Sequence, residues 1–237
     1  MSKAGTRADI SPIELEIIHN ALTAAAAEMD VTVWRTSRST IVRELLDYST
    51  AIFDRDGRNI AQSARIPMHL NSMGDFLNEL LARHIPPERW NADDIVISND
   101  PYCGGQHLPD IAAFKAVFLA GRRIGFVGTL CHHLDVGGSS PGSYGSSATE
   151  IFQEGLRIPP LKLIEGGTIN EAARALILQN VRQPEILWGD LQSQLASLRI
   201  GASSVERLAT KVGEARFERA LRQLLDTSEA GMRDGTA

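Results

Sequence analysis

The chain has 237 residues, 43% of them hydrophobic and 22% charged, with a formal net charge of −5. That length can bury one sizeable core, and the balance is that of an ordinary globular protein rather than a disordered or disulfide-rich one. Lys and Arg form no cluster, which argues against a phosphate-binding surface for nucleic acid. Two cysteines, Cys103 and Cys131, are too few for a disulfide framework and lack C-x-x-C spacing. With a polar N-terminus that has no apolar signal region, they predict a soluble protein of the reducing cytosol, not of the membrane.

Residues 1–10 are expected to be disordered. Ser11-Pro12-Ile13-Glu14 then reads as a capping box with Pro in the first helical turn. The helix it opens is predicted to run to about Trp34, with Ile13, Ile17, Ile18, Ala21, Leu22 and Ala25 on its apolar face. Leu45 to Phe53 is strand-like, Asp56-Gly57 marks a turn, and Asn59 to Ser63 is the candidate hairpin partner. Met73 to His84 reads as a helix stopped by Pro86-Pro87. Asp94 to Ser98 is a short buried-strand candidate. Ile111 to Leu119 and Arg123 to Cys131 read as two strands around Ala120-Gly121.

From Asn170 the pattern becomes helical: Ala172 to Ile177, then Leu191 to Leu198 ending before Gly201, then Val205 to Val212, then Phe217 to Leu225. Asp190 is expected to cap the second of these. Residues 228–237 are predicted to be a frayed or truncated end. The fold class expected is α+β, a mixed or antiparallel sheet core with an N-terminal helix and a helical C-terminal third.

The chemistry concentrates in two loops at strand ends. Asp100-Pro-Tyr-Cys-Gly-Gly-Gln-His107-Leu-Pro-Asp110 precedes the first long strand, and His132-His133-Leu-Asp135 follows the second. Imidazole and carboxylate together suit Zn, Mn or Fe. Two His with one carboxylate leave positions open, as catalytic metal sites do. Adjacent His132 and His133 point to opposite faces if both lie in a strand, so at most one faces the site; spacing does not choose between them.

Gly104-Gly105 and Gly137-Gly138 are candidates for anion-binding backbone or, equally, for tight turns. Neither forms a P-loop. Cys103 and Cys131 lie near histidines, but such cysteines are more often small buried hydrophobes than nucleophiles. In Glu154-Gly-Leu-Arg157-Ile-Pro-Pro-Leu-Lys162, Glu154 is a candidate general base and Arg157 a candidate clamp for a substrate carboxylate. The competing reading of the pair is an ion pair bracing a loop.

These long motifs, together with Asp135-Val-Gly-Gly, Pro141-Gly-Ser, Asn180-Val-Arg-Gln-Pro and the opening Ser-Pro-Ile-Glu-Leu-Glu-Ile-Ile, resemble the hydantoinase B/oxoprolinase family, in order and along essentially the whole chain. The resemblance implies ATP-driven hydrolysis of cyclic amides such as hydantoins or 5-oxoproline. A related branch carboxylates acetone or acetophenone. It also implies a hetero-oligomer in which an A-type partner subunit binds ATP, in keeping with the missing P-loop. In the metal-bearing carboxylase branch the ligands correspond to His107, Asp110 and His132, which makes His133 and Asp135 candidates for orienting those ligands. Gly137-Gly138 would receive the phosphate. Family members are usually more than twice this length, so residues 11–227 correspond to their N-terminal portion, as a fragment or a split subunit. An assembly role without catalysis is the alternative from a different class.

Overall fold

Ser11 begins the first helix: its hydroxyl accepts the N–H of Glu14 at 3.3 Å, and Pro12 takes a position that needs no N–H. The computed structural model describes residues 10–235, except 65, 67, 68, 70 and 71, so most of the expected N-terminal disorder lies outside the described residues. Ile10 is buried, and its backbone exchanges hydrogen bonds with Gln223. Helix α1 spans Pro12–Thr36 and buries Ile18, Leu22, Ala25, Ala26, Met29 and Val33. Ile13 and Ile17, expected on that face, are exposed. At 3.6 residues per turn they lie on the side away from the Ile18–Leu22–Met29 stripe.

After α2 (Thr40–Arg43), β1 (Tyr48–Asp54) and β2 (Asn59–Ala64) form the expected hairpin. Helix α3 (Ser72–Glu79) continues as a π-helical turn over Leu80–His84 before the two prolines. Strands β3 (Ile95–Ser98), β4 (Asp110–Leu119), β5 (Arg122–His132), β6 (Leu161–Glu165) and β7 (Thr168–Ile169) follow. All seven strands join one antiparallel sheet, in the order β2-β1-β5-β4-β3-β6-β7. The α+β expectation holds; β6 and β7 were not anticipated.

The sequence of β4, apolar from Ile111 to Leu119 apart from Lys115, follows from burial on both faces. Ile111, Ala113 and Val117 join a core with α1 and the C-terminal helices, while Ala112, Phe114 and Ala116 join one with α3. Helix α4 spans Glu171–Gln179, α5 spans Pro184–Val212 and α6 spans Glu214–Gly235. Two corrections follow. Gly201 does not end a helix: α5 passes through it, because a side chain there would strike the Met29 thioether of α1. Asp190 is not a cap but lies buried inside α5, where Oδ1 accepts the N–H groups of Arg38 and Ser39 at 2.6 and 3.1 Å and ties down the turn after α1. Residues 228–235, expected to fray, continue α6 as exposed helix.

Candidate metal centre

Antiparallel pairing of β4 with β5 sets Asp110 directly opposite His132 at one end of the sheet. His107 arrives from the loop before β4, in a tight turn where the Asp110 N–H donates to the His107 carbonyl at 3.0 Å. Buried Asn99 holds that loop. Its amide donates to the carbonyls of Leu108 and Leu156 at 2.6 and 2.9 Å, and its oxygen accepts the N–H of Ile158 at 2.6 Å.

His107, Asp110 and His132 each offer a ligand atom within 4.8 Å of the others. His132 Nδ1 lies 3.1 Å from Asp110 Oδ1, and His107 Nδ1 lies 3.1 Å from Asp110 Oδ2. The second of these contacts is not a hydrogen bond: among the described residues both His107 Nδ1 and Asp110 Oδ2 are buried without a hydrogen-bond partner. An unsatisfied buried carboxylate oxygen is costly, and a cation between the two atoms would satisfy both. Two imidazoles and a carboxylate are a donor set that divalent Zn, Mn and Fe accept.

A second ring of groups surrounds this cluster. Asp47, just before β1, stands 3.8 Å from His132 Nδ1 and 3.9 Å from His69 Nε2. His69 is buried, with Nδ1 3.0 Å from the Ser49 hydroxyl. Burial lowers its pKa, opposed by the negative charges of Asp110 and Asp47. The Tyr144 hydroxyl lies 3.2 Å from His132 Nε2. Asn99, Asp47, His69 and Tyr144 were not singled out in the sequence; no local pattern joins them to the His-x-x-Asp motif.

A cavity of about 360 Å³ opens beside the cluster, lined by His107, Pro109, His132, Ser143, Tyr144 and Glu154 among others. Of the two candidates in the Glu154–Lys162 segment, only Glu154 reaches its wall. Arg157 instead pairs with Asp100 at 3.7 Å and lies over the Tyr102 ring, so its ion pair is with the loop before β4 and not with Glu154.

Gly137 and Gly138 have φ of 91° and 87°, and side chains there would strike the carbonyls of Asn180 and Gln153. The Gly137 N–H is already committed, donating to Asp135 Oδ1 at 2.8 Å. This pair is therefore a tight turn, and a phosphate would have to displace Asp135 to use that N–H. Asp135 in turn braces the loop rather than a ligand: Gly137, Gly142 and Arg182 occupy its two oxygens.

His133, one residue past the end of β5, turns to α5 instead. Its Nε2 meets Gln194 Oε1 at 3.1 Å, while the Gln194 amide is spent on the Ile111 carbonyl and the Thr129 hydroxyl. His133 must therefore donate, and it ties β5 to α5 rather than orienting a ligand. Burial lowers its pKa, so it is held neutral. Burial also pushes the Cys103 thiol up to about 11 and the Cys131 thiol well above its ordinary range, which leaves neither a thiolate nucleophile.

The model of the hydantoinase B/oxoprolinase family matches residues 11–237. The chain belongs to the hydantoinase B/oxoprolinase family. An uncharacterised member from Methanocaldococcus jannaschii is 39% identical over 92% of this chain, which spans 39% of that protein. The crystal structure of the ATP-dependent caprolactamase from Pseudomonas jessenii superimposes with a TM-score of 0.90 at 32% identity, over 95% of this chain and 38% of that one. The nucleotide-free acetone carboxylase structure shares the fold, with a TM-score of 0.83 at 23% identity over 89% of this chain and 28% of that one. The chain thus spans less than two-fifths of each of these proteins. Among its described residues no helix is long and apolar enough to cross a membrane.

Proposed function

We propose that this chain is the metal-bearing portion of a B-type subunit in an ATP-dependent hydrolase of cyclic amides, of the hydantoin or 5-oxoproline kind. The observation that carries this reading is the convergence of His107, Asp110 and His132 on a cavity, with two buried ligand atoms left unsatisfied. Family membership and the likeness to an ATP-dependent caprolactamase support the reaction class. A divalent metal held there would supply a Lewis acid for a substrate carbonyl oxygen or for water.

The chain's own groups divide the remaining work. Glu154, on the cavity wall, is placed to take a proton from a water entering the cavity. Pro109 and the Tyr144 ring offer apolar surface to a small cyclic amide. Asp47 adds negative charge beside His132. With the Gly137 N–H committed to Asp135, nucleotide and phosphate binding in this reading fall to an A-type partner rather than to this loop. Two free, buried cysteines suit a reducing compartment such as the cytosol.

The test is elemental analysis of wild type and His107→Ala, purified without chelators. About one divalent metal per chain, absent from a folded variant, is expected. Retained stoichiometric metal in the variant would sink the assignment of His107. No metal in either protein would favour an assembly subunit. With an A-type partner, ATP turnover should respond to hydantoins or 5-oxoproline; a response only to ketones with bicarbonate would point to a carboxylase.

A further inference from the structure

His132 is held at both ring nitrogens, and the two partners differ in chemistry. Nδ1 lies 3.1 Å from a carboxylate oxygen of Asp110, which can only accept, so in the metal-free chain Nδ1 carries the proton. In the neutral ring Nε2 is then bare and accepts the Tyr144 O–H at 3.2 Å. Nδ1 is also the nitrogen that faces the cluster: it and His107 Nδ1 are each 3.1 Å from an Asp110 oxygen. A cation taken up between these atoms needs the Nδ1 lone pair. The imidazole then keeps one proton at Nε2, and that N–H needs an acceptor.

We infer that Tyr144 is the positioning residue of His132, a phenol that serves as donor to Nε2 before metal uptake and as acceptor from Nε2–H afterwards. The inference rests on the metal reading above. The proton count balances for the neutral ring: its single proton passes from Nδ1 to Nε2 by exchange with water. The phenol keeps its own proton and turns it toward solvent. Solvent is at hand, because Tyr144 is 71% exposed while His132 is only 2% exposed. A hydroxyl can both donate and accept, so no rearrangement of the loop is required. The ring fixes the imidazole a second way, lying 6.0 Å from it at an interplanar angle of 27°.

The backbone around Tyr144 gives this contact its precision. Ser143, the preceding residue, accepts the Val136 N–H at 2.9 Å and donates to the Gly137 carbonyl at 2.8 Å. Asp135 pins Gly142 at 2.9 Å. The phenol is therefore carried on an anchored turn only 12 residues beyond His132, and an outer partner of this kind on a ligand imidazole sets both tautomer and ring orientation.

The decisive variant is Tyr144→Phe, which keeps the ring and removes only the hydroxyl. Circular dichroism serves to verify that the exposed substitution leaves the fold intact. Titration of the 237-residue chain with Co²⁺, followed by visible absorption, should show affinity weakened about tenfold or more and a shifted ligand-field band. Nitrogen-15 spectra of the His132 ring give a readout that needs no metal. Wild type should show protonated Nδ1 without metal and protonated Nε2 with Zn²⁺, and Tyr144→Phe should shift the Nε2 resonance in both states. Unchanged affinity, band and Nε2 resonance in the variant overturn the role of Tyr144 while leaving the metal centre standing. If wild type takes up no Co²⁺, the metal reading falls. The metal-free Nε2 resonance then decides alone: shifted, Tyr144 positions His132; unshifted, it does not.

Discussion

Asp135 shows how much one buried carboxylate can organise. Oδ1 accepts from the Gly137 and Arg182 N–H groups, and Oδ2 from Gly142 N–H and the Arg182 guanidinium, at 2.8 to 3.2 Å. Burial alone would raise its pKa; the N–H groups of Gly137, Arg182 and Gly142 and the guanidinium outweigh it and hold the carboxyl below its ordinary 3.8. The folded state therefore binds this proton less readily than the unfolded state. The resulting stability is fully present above about pH 4 and is lost as pH falls through the lowered folded value. Asp135→Asn should cost about 2 kcal/mol at neutral pH and flatten that acid limb of a denaturation series. A variant as stable as wild type, with the same acid limb, would show that the loop does not depend on this charge.

Among the elements, α5 links the layers. It meets α1 where Gly201 faces Met29, the sheet where Gln194 meets Ile111 and Thr129, and the turn after α1 where Asp190 accepts two N–H groups. Close approach at Gly201 leaves no room for a methyl group, so Gly201→Ala should destabilise by about 1–3 kcal/mol in urea unfolding. Met29→Ala removes the obstructing side chain, so the double variant should lose less than the sum of the two single losses. Strict additivity would mean that the helices do not press together at this point. Read along the chain, Gly201 looks like a helix end and Asp190 like a helix start; both are interior positions of α5 whose residue types answer to other segments, Gly201 to Met29 of α1 and Asp190 to the turn after α1.

At the scale of the whole molecule, the candidate centre is a junction. Its ligands come from the loop before β4 and from the first and last residues of a strand pair, while Asp47 precedes β1 and Tyr144 sits on the glycine loop. A cation bound there stabilises the fold by mass action, about 2.7 kcal/mol at a free concentration of 100 Kd. Zn²⁺ should therefore raise the melting temperature of wild type in a thermal-shift series and leave that of His107→Ala unmoved. Equal shifts in the two proteins would place the binding elsewhere.

Features that depend on neighbours a few residues apart were legible along the chain. The Ser11 cap, the hairpin at Asp56-Gly57, the paired strands β4 and β5 and the His-x-x-Asp motif are all local patterns, and hydrophobic period and turn chemistry report them directly. Strand alternation likewise lets only one of His132 and His133 face the site if both lie in a strand; β5 ends at His132, and His133 turns to α5. Only the tertiary structure decided which polar groups satisfy one another at long range. His133 meets Gln194 61 residues away, Asn99 clamps Ile158 59 residues away, and Asp190 reaches back 152 residues to Arg38. Those pairings turned Asp135, His133 and Arg157 from site candidates into braces, and brought Asp47, His69 and Tyr144 to His132. The reason is that a buried polar atom must find a partner wherever the packed chain provides one, and the order of residues along the chain does not encode that distance.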